Sequence, residues 1–262
     1  MAEATSLNGK TALVTGSTRG LGRTIADRLA QEGCNLIVSG RVFDDAERAA
    51  EELRQFGVKV VAIGADLAKL EDAHRLGVEA VAAAGRLDIL VNNAGMSIRE
   101  PFWEVSDERW EYQTNVNLRS SFVLAQHAAR HMLANHIAGR IVHTSTVGAQ
   151  RCHADATVYD SVKAAVEAMT RNMAWELGPH KITVNCVAPG PIGDRPMASE
   201  PRSLWETVKP YVATGRIGRG EDIAAAVAFF CRPEAEFITG QTLLIDGGYG
   251  APLPENYLSW DE

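Results

Sequence analysis

Cysteine is scarce in this sequence: four residues in 262, Cys34, Cys152, Cys186 and Cys231, with no CxxC pair among them. That scatter argues against a disulfide framework or a thiolate zinc site and suits a reduced compartment. Long apolar runs are missing as well, none approaching the ~18 residues a membrane-spanning helix needs. Positive charge is in deficit, with 26 Lys and Arg against 33 Asp and Glu and a formal net charge of -7. Little is left over to neutralise a phosphate backbone or an anionic bilayer, so neither nucleic acid nor membrane is an expected partner. The opening MAEATSLNGK lacks the basic-then-apolar pattern of a secretory leader, and a cytoplasmic placement is expected. Internal repeats, low-complexity tracts and Ser/Gly linkers are also wanting, so residues 1–262 read as one domain.

What is present is the composition of a globular protein, 46% hydrophobic and 23% charged, which allows a sizeable core. Short β-branched or apolar runs recur at Thr11 to Thr15, Leu36 to Ser39, Val58 to Ile63, Ile89 to Val91, Arg140 to Ser145, Ile182 to Val187 and Thr242 to Ile245. Between them lie segments of helical period, such as Leu21, Ile25, Leu29 and Ala165, Ala168, Met169, Met173. This alternation predicts an α/β fold: a doubly wound parallel sheet of the Rossmann type, about seven strands, with helices on both faces. The runs are continuous rather than alternating, as befits strands covered on both sides. Ligands of such folds sit beyond the carboxyl ends of the strands. The Pro- and Gly-rich stretch at about 190–219 is read as a substrate loop, and 251–262, with Pro252, Pro254, Tyr257 and Trp260, as a C-terminal tail.

Directly after the first run comes Thr15-Gly16-Ser17-Thr18-Arg19-Gly20-Leu21-Gly22, followed by helical periodicity from Ile25. A strand-to-helix turn of this kind presents backbone N–H groups and a helix dipole to a pyrophosphate. At the end of the second strand a carboxylate would bind a ribose 2'-hydroxyl, whereas a basic residue would accept a 2'-phosphate. Here the strand runs into Gly40-Arg41, and Arg19 lies within the glycine loop, so two guanidinium groups favour NADP(H) over NAD(H). Asp44 and Asp45 read as N-terminal caps of the next helix. Asp66-Leu67 and Asn92-Asn93-Ala94-Gly95 close the third and fourth strands, each either turn chemistry alone or part of a ligand edge.

Tyr159 and Lys163 are four residues apart at the start of a helical pattern and share one face. An ammonium beside a phenol favours the phenolate, so this spacing predicts a lowered tyrosine pKa and proton exchange with an alcohol or carbonyl. Upstream, Thr144-Ser145-Thr146 offers hydroxyls to a carbonyl oxygen that gains charge.

Taken in order, Thr15-Gly16-xxx-Gly20-x-Gly22, Asp66, Asn92-Asn93-Ala94-Gly95, Asn117, Thr146, Tyr159-xxx-Lys163, Pro189-Gly190, Ile238-Thr239-Gly240-Gln241 and Ile245-Asp246-Gly247-Gly248 resemble the short-chain dehydrogenase/reductase family, across about residues 7–250. The likeness extends to its 3-oxoacyl-carrier-protein reductase and gluconate dehydrogenase branches. It implies that Tyr159 is the acid/base, that Lys163 binds the nicotinamide ribose and lowers the tyrosine pKa, and that Asn117 holds a water relaying protons to Lys163. It also implies that Gly16, Ser17, Thr18, Arg19, Gly20, Leu21, Gly22, Arg41, Asp66, Leu67, Asn93, Ala94, Gly95, Tyr159, Lys163, Pro189, Gly190 and Ile192 line the cofactor. The family's catalytic serine falls at Thr146, which keeps the spacing and a hydroxyl; Ser145 beside it is the alternative. Where the family often has a threonine for the carboxamide, this chain has Gly193-Asp194. A homotetramer or homodimer, paired through the helices of Asn117 and Tyr159 and the C-terminal segment, is implied too.

The substrate pocket is expected to draw on Arg99, Trp103, Gln150, Arg151, His153 and Arg195, whose cations suit an anionic or polyhydroxylated small molecule. His127, His131 and His136 lack an acidic third ligand at a matching offset, and no metal is expected. The functional expectation is an NADP(H)-dependent oxidoreductase on a small hydroxylated or keto substrate. The alternatives are a 3-oxoacyl-carrier-protein reductase and, in another class, a catalytically silent NADP(H)-binding regulator.

Overall fold

Each continuous apolar run becomes a strand of one parallel sheet, because only a sheet covered on both faces buries every side chain of such a run. In the computed structural model, which describes residues 7–193 and 206–251, the strands are β1 (Thr11–Val14), β2 (Asn35–Gly40), β3 (Val60–Gly64), β4 (Ile89–Asn92), β5 (Arg140–Thr144), β6 (Thr183–Pro189) and β7 (Thr242–Ile245). Their order is β3-β2-β1-β4-β5-β6-β7, all pairs parallel. The chain moves outward from β1 to β3, then returns to the other side of β1 with β4. That reversal opens a crevice at the carboxyl ends of β1 and β4.

The helices are α1 (Gly20–Gln31), α2 (Phe43–Arg54), α3 (Leu70–Ala84), α4 (Asp107–Thr114), α5 (Ser120–Ala134), α6 (Thr157–Leu177) and α7 (Gly220–Cys231). Successive residues of β1 feed opposite faces: Ala12 and Val14 join Ile25, Leu29 and Val227, while Leu13 joins Leu76, Leu124 and Met132. Glycine ends α3, where Gly85 takes a left-handed φ of 64° that leaves no strain without a Cβ.

Three details differ from the pattern read along the chain. The α2 cap is Val42, so Asp44 and Asp45 lie in the first turn and complement the helix dipole instead of capping it. On α6 the buried stripe is Val158, Val162, Val166, Thr170 and Ala174, with Met169 and Met173 half-buried at its side. Strand β7 is only partly covered, Leu243 and Leu244 being 42% and 36% exposed, because it is the last strand and no helix follows it among the described residues. In the irregular 190–219 stretch, Ile192 bridges Gly218 and a short turn spans Lys209–Tyr211. Arg195 and Asp194, and Pro252, Pro254, Tyr257 and Trp260 of the tail, lie outside the described residues. Among the described helices none is long and apolar enough to cross a membrane.

Candidate active site

The turn from β1 into α1 is built on close backbone approach. Gly16 and Gly20 have φ of 65° and 56°, which glycine adopts freely. A methyl group on Gly22 would lie 2.2 Å from the Gly16 carbonyl oxygen and 2.4 Å from Asn93 Nδ2, so the first turn of α1 closes only around a bare Cα. Thr15 Oγ1 accepts the backbone N–H groups of Asn93 and Ala94, each at 3.0 Å, and Asn93 Nδ2 donates to the Thr15 carbonyl at 3.0 Å. Asn93 therefore clamps the glycine turn to the end of β4. No side chain caps α1, and Arg19, at its N-cap, is exposed, which leaves the first amides of the helix facing the cleft.

That cleft has a volume of about 1850 Å³ and runs along the carboxyl ends of the sheet. It exceeds the ~300–1000 Å³ of a drug-sized site, leaving room for a dinucleotide and a second molecule. Most of the expected cofactor residues line it: Gly16, Thr18 to Gly22, Arg41, Asp66, Leu67, Asn93 to Gly95, Tyr159, Lys163, Pro189, Gly190 and Ile192. Ser17 does not. Its buried hydroxyl donates to the Val14 carbonyl at 2.7 Å and accepts from the Ser39 amide at 3.1 Å, tying the turn to β2 instead. Asp66 also serves its own turn, Oδ1 accepting from the Ala68 amide at 3.2 Å. Arg48 of α2 joins Arg19 and Arg41 at the β2 end, a third cation with no motif to mark it because it lies on the next helix.

At the other end β5 delivers the hydroxyls and α6 the tyrosine and lysine. Thr146 and Tyr159 both line the cleft, and the Thr146 hydroxyl pulls the tyrosine pKa down. Lys163 Nζ donates to the Thr144 carbonyl at 2.8 Å and lies 5.7 Å from the Tyr159 ring centre. Ser145 turns away: its hydroxyl donates to Glu167 Oε1 at 2.9 Å, beneath α6. Thr146 is thus the hydroxyl beside the tyrosine. Thr144 also contributes to the cleft wall, and its Oγ1 is buried with no hydrogen-bond partner among the described residues.

Asn117 is fully buried and sits in a π-turn, Asn115–Arg119, between α4 and α5. Its amide is spent on protein: Oδ1 accepts from the Met96 N–H at 3.0 Å, and Nδ2 donates to the Met96 and Gln113 carbonyls, both at 2.8 Å. The side chain does not itself line the cleft, and its bonds fix the Met96 backbone. A methyl group on Gly95 would lie 2.9 Å from Asn117 Oδ1 and 3.3 Å from Lys163 Nζ, which shows how closely both converge there.

The electrostatics correct the simple phenol–ammonium argument. Burial, with Asp160 adding, pushes Tyr159 up to about 12, against a lowering pull from Arg99 and the Thr146 hydrogen bond. Lys163 is brought down to about 8 by burial. In the free protein desolvation outweighs the pairing, since the ammonium is directed at a carbonyl and not at the phenolic oxygen.

Of the expected substrate residues, the structure brings Arg99 and His153 to the cleft. Trp103 is 72% exposed and stacks edge-on against Phe102, away from it. Arg151 hydrogen-bonds the Gly250 carbonyl and Gln150 Nε2 reaches Glu167 Oε2 at 3.3 Å. Tyr112, Cys152 and Tyr249 also line the cleft; nothing in their local sequence sets them apart.

A glycine-turn cradle at the switch point of a parallel sheet, with tyrosine, threonine and lysine at its far end, defines the site of a nicotinamide-dependent oxidoreductase. A family model described as enoyl-(acyl carrier protein) reductase matches residues 16–250. Hydroxynaphthalene reductase-like protein Arp2 of Metarhizium brunneum is 37% identical over 266 residues, 93% of this chain and 96% of that protein. The 3-oxoacyl-[acyl-carrier-protein] reductase FabG of Aquifex aeolicus is 35% identical over 243 residues, covering 92% and 98%. Among solved structures, a blue fluorescent protein from a metagenomic library in complex with NADPH superposes with a TM-score of 0.87 at 36% identity, over 94% of this chain and 100% of that one. The chain belongs to the short-chain dehydrogenase/reductase family. It is an oxidoreductase that acts on an alcohol or keto group of a small molecule with a nicotinamide cofactor.

Proposed function

We propose that this enzyme interconverts a carbonyl and a secondary alcohol on a small hydroxylated or keto substrate with NADP(H), using Tyr159 as proton donor and acceptor. The observation that carries this reading is that Thr146, Tyr159 and Lys163 line the same end of the cleft, with Lys163 Nζ 5.7 Å from the tyrosine ring centre. When bound along the cradle, the nicotinamide supplies or accepts the hydride. The chain's own part is positional and electrostatic. Thr146 donates to the carbonyl oxygen as it gains charge, and Tyr159 passes its proton to that oxygen in reduction and takes it back in oxidation. A phenol held near 12 stays protonated at neutral pH, ready to donate. Lys163, at about 8, exchanges protons near neutrality and replaces the one that Tyr159 gives up. Asn117 acts as a positioning residue, holding Met96 and so the wall beside Lys163.

Replacing Tyr159 with Phe is expected to lower turnover by roughly 10²–10⁴-fold while NADPH binding, followed by calorimetry, persists. Wild-type turnover in that variant overturns the assignment. The preference for NADP(H) is supported by Arg19, Arg41 and Arg48 at the β2 end of the cleft, where a ribose phosphate would lie. Arg41→Ala is expected to raise the KM for NADPH about tenfold and to leave that for NADH nearly unmoved. Equal use of both cofactors by the wild type would remove this part of the reading. Free buried thiols at Cys34, Cys186 and Cys231 support a cytoplasmic enzyme. A homotetramer or homodimer is the assembly we favour, from the apolar groups left bare beside β7 and on α4 and α5.

A further inference from the structure

The segment after Thr146 holds an arrangement that the redox chemistry does not use. Asp160, next to the tyrosine on α6, grips one residue with both oxygens: Oδ2 accepts the His153 backbone N–H at 2.8 Å and Oδ1 faces the His153 ring nitrogen Nδ1 at 2.9 Å. The pair fits into a hollow that exists because residue 148 is glycine. A methyl group there would lie 2.2 Å from both Asp160 Oδ1 and His153 Nδ1. A carboxylate that takes Nδ1–H fixes the tautomer and orientation of an imidazole and leaves Nε2 as its remaining polar atom. Among the described residues Nε2 has no hydrogen-bond partner, and His153 lines the cleft beside Tyr159 and Thr146.

Arg99 stands with it. It lines the same end of the cleft, has no carboxylate partner among the described residues, and acts on Tyr159 electrostatically. The loops that carry Arg99 and His153 are joined, the Glu100 N–H donating to the Asp155 carbonyl at 2.8 Å. Glu100, the nearest acid in sequence, is held off by Arg109. Arg151 and Trp103, by contrast, are directed elsewhere, and Lys163 is engaged by the Thr144 carbonyl, so Arg99 and His153 are the expected substrate residues that remain available at this end among the described residues.

We propose that Arg99 and His153, the latter locked by Asp160 against Gly148, form a carboxylate-binding subsite, and that the substrates of this enzyme are keto and hydroxy acids rather than neutral ketones and alcohols. This narrows the carbonyl/alcohol reading given above and rests on it. The guanidinium takes the carboxylate while the imidazole, in its doubly protonated form with Nδ1–H held by Asp160, donates Nε2–H to the second oxygen, leaving the carbonyl between Thr146 and Tyr159.

The test sets acetoacetate and levulinate beside their methyl esters, with NADPH oxidation measured for wild type, Arg99→Gln, His153→Gln and Arg151→Gln. Wild type is expected to favour each acid over its ester in kcat/KM. That ratio is expected to fall about tenfold or more in Arg99→Gln and His153→Gln, mainly through KM, and to hold in Arg151→Gln. Calorimetric titration of levulinate into the NADP+-loaded enzyme, a pair that cannot react, gives a second readout without turnover, and its binding is expected to weaken in the same two variants. Equal rates on acids and esters in wild type, or an acid preference untouched by either cleft variant, overturns the subsite while the redox reading stands. Failure of every acid and ester, with Tyr159→Phe indistinguishable from wild type on a series of neutral ketones and diketones, overturns both.

Discussion

Two adjacent hydroxyls, Ser145 and Thr146, have been given different work by the way β5 ends. Ser145 faces α6 and satisfies the buried carboxylate of Glu167, while Thr146 faces the cleft and Tyr159. Thr146→Val keeps shape but removes the donor to the developing oxyanion, and kcat is expected to fall about 10²–10³-fold with little change in unfolding by urea. Ser145→Ala should do the reverse. Leaving Glu167 short of a buried donor costs about 1–3 kcal/mol of stability, with a far smaller effect on kcat. Lys163 carries a pH signature. Its folded-state value of about 8 lies below the ordinary 10.5, so the fold bears the cost of a buried ammonium in full below pH 8 and sheds it as pH climbs toward 10.5. Wild type should therefore gain stability relative to Lys163→Met between pH 7 and pH 10, by roughly 2 kcal/mol, read from urea denaturation at the two pH values.

At the scale of elements, the start of α1 and the π-turn ahead of α5 do the positioning. Gly22→Ala puts a methyl group against the Gly16 carbonyl and the Asn93 amide, both of them parts of the cradle. Overpacking of this kind costs about 1–3 kcal/mol. NADPH affinity is expected to fall with it, since the same backbone would face the pyrophosphate; calorimetry and thermal unfolding on one sample check both. Asn117→Ala frees the Met96 N–H and carbonyl, and a loss in kcat larger than any rise in KM is the expected kinetic result. The π-turn explains why this asparagine can serve Met96 and Gln113 at once: the extra residue rotates it inward at the end of α4.

At the scale of the whole molecule, one edge of the sheet is left uncovered by the described residues. β7 leaves Leu243 and Leu244 uncovered, Phe237 is 99% exposed and Trp175 is 86% exposed. An uncovered sheet edge and large bare aromatics are features that natural proteins bury in assembly. Light scattering is expected to give the mass of a dimer or tetramer, and Phe237→Glu with Leu244→Lys to reduce it; a monomeric wild type would refute this assembly.

The sheet was legible because hydrophobic period and turn chemistry are local: the seven runs, the glycines at 16, 20 and 22, and the Tyr159–Lys163 spacing each depend on a few neighbouring residues. Strand ends were less sharp, β3 starting at Val60 and not Val58, since pairing with Leu36 sets its register. Side-chain duties were harder to read. Ser17 lies in the motif yet faces the core, and Arg48 lies outside every motif yet reaches the cleft. By itself, then, the sequence determined the parallel α/β architecture, the position of the cradle and the identity of the tyrosine and lysine. Only the tertiary structure decided which hydroxyl faces the tyrosine, which cations reach the cleft and how far burial outweighs charge pairing at Tyr159 and Lys163. The physical reason is that period and backbone conformation are properties of adjacent residues. Desolvation and hydrogen-bond choice depend on partners such as Glu167, Met96 and Asp160, which the fold alone brings into contact.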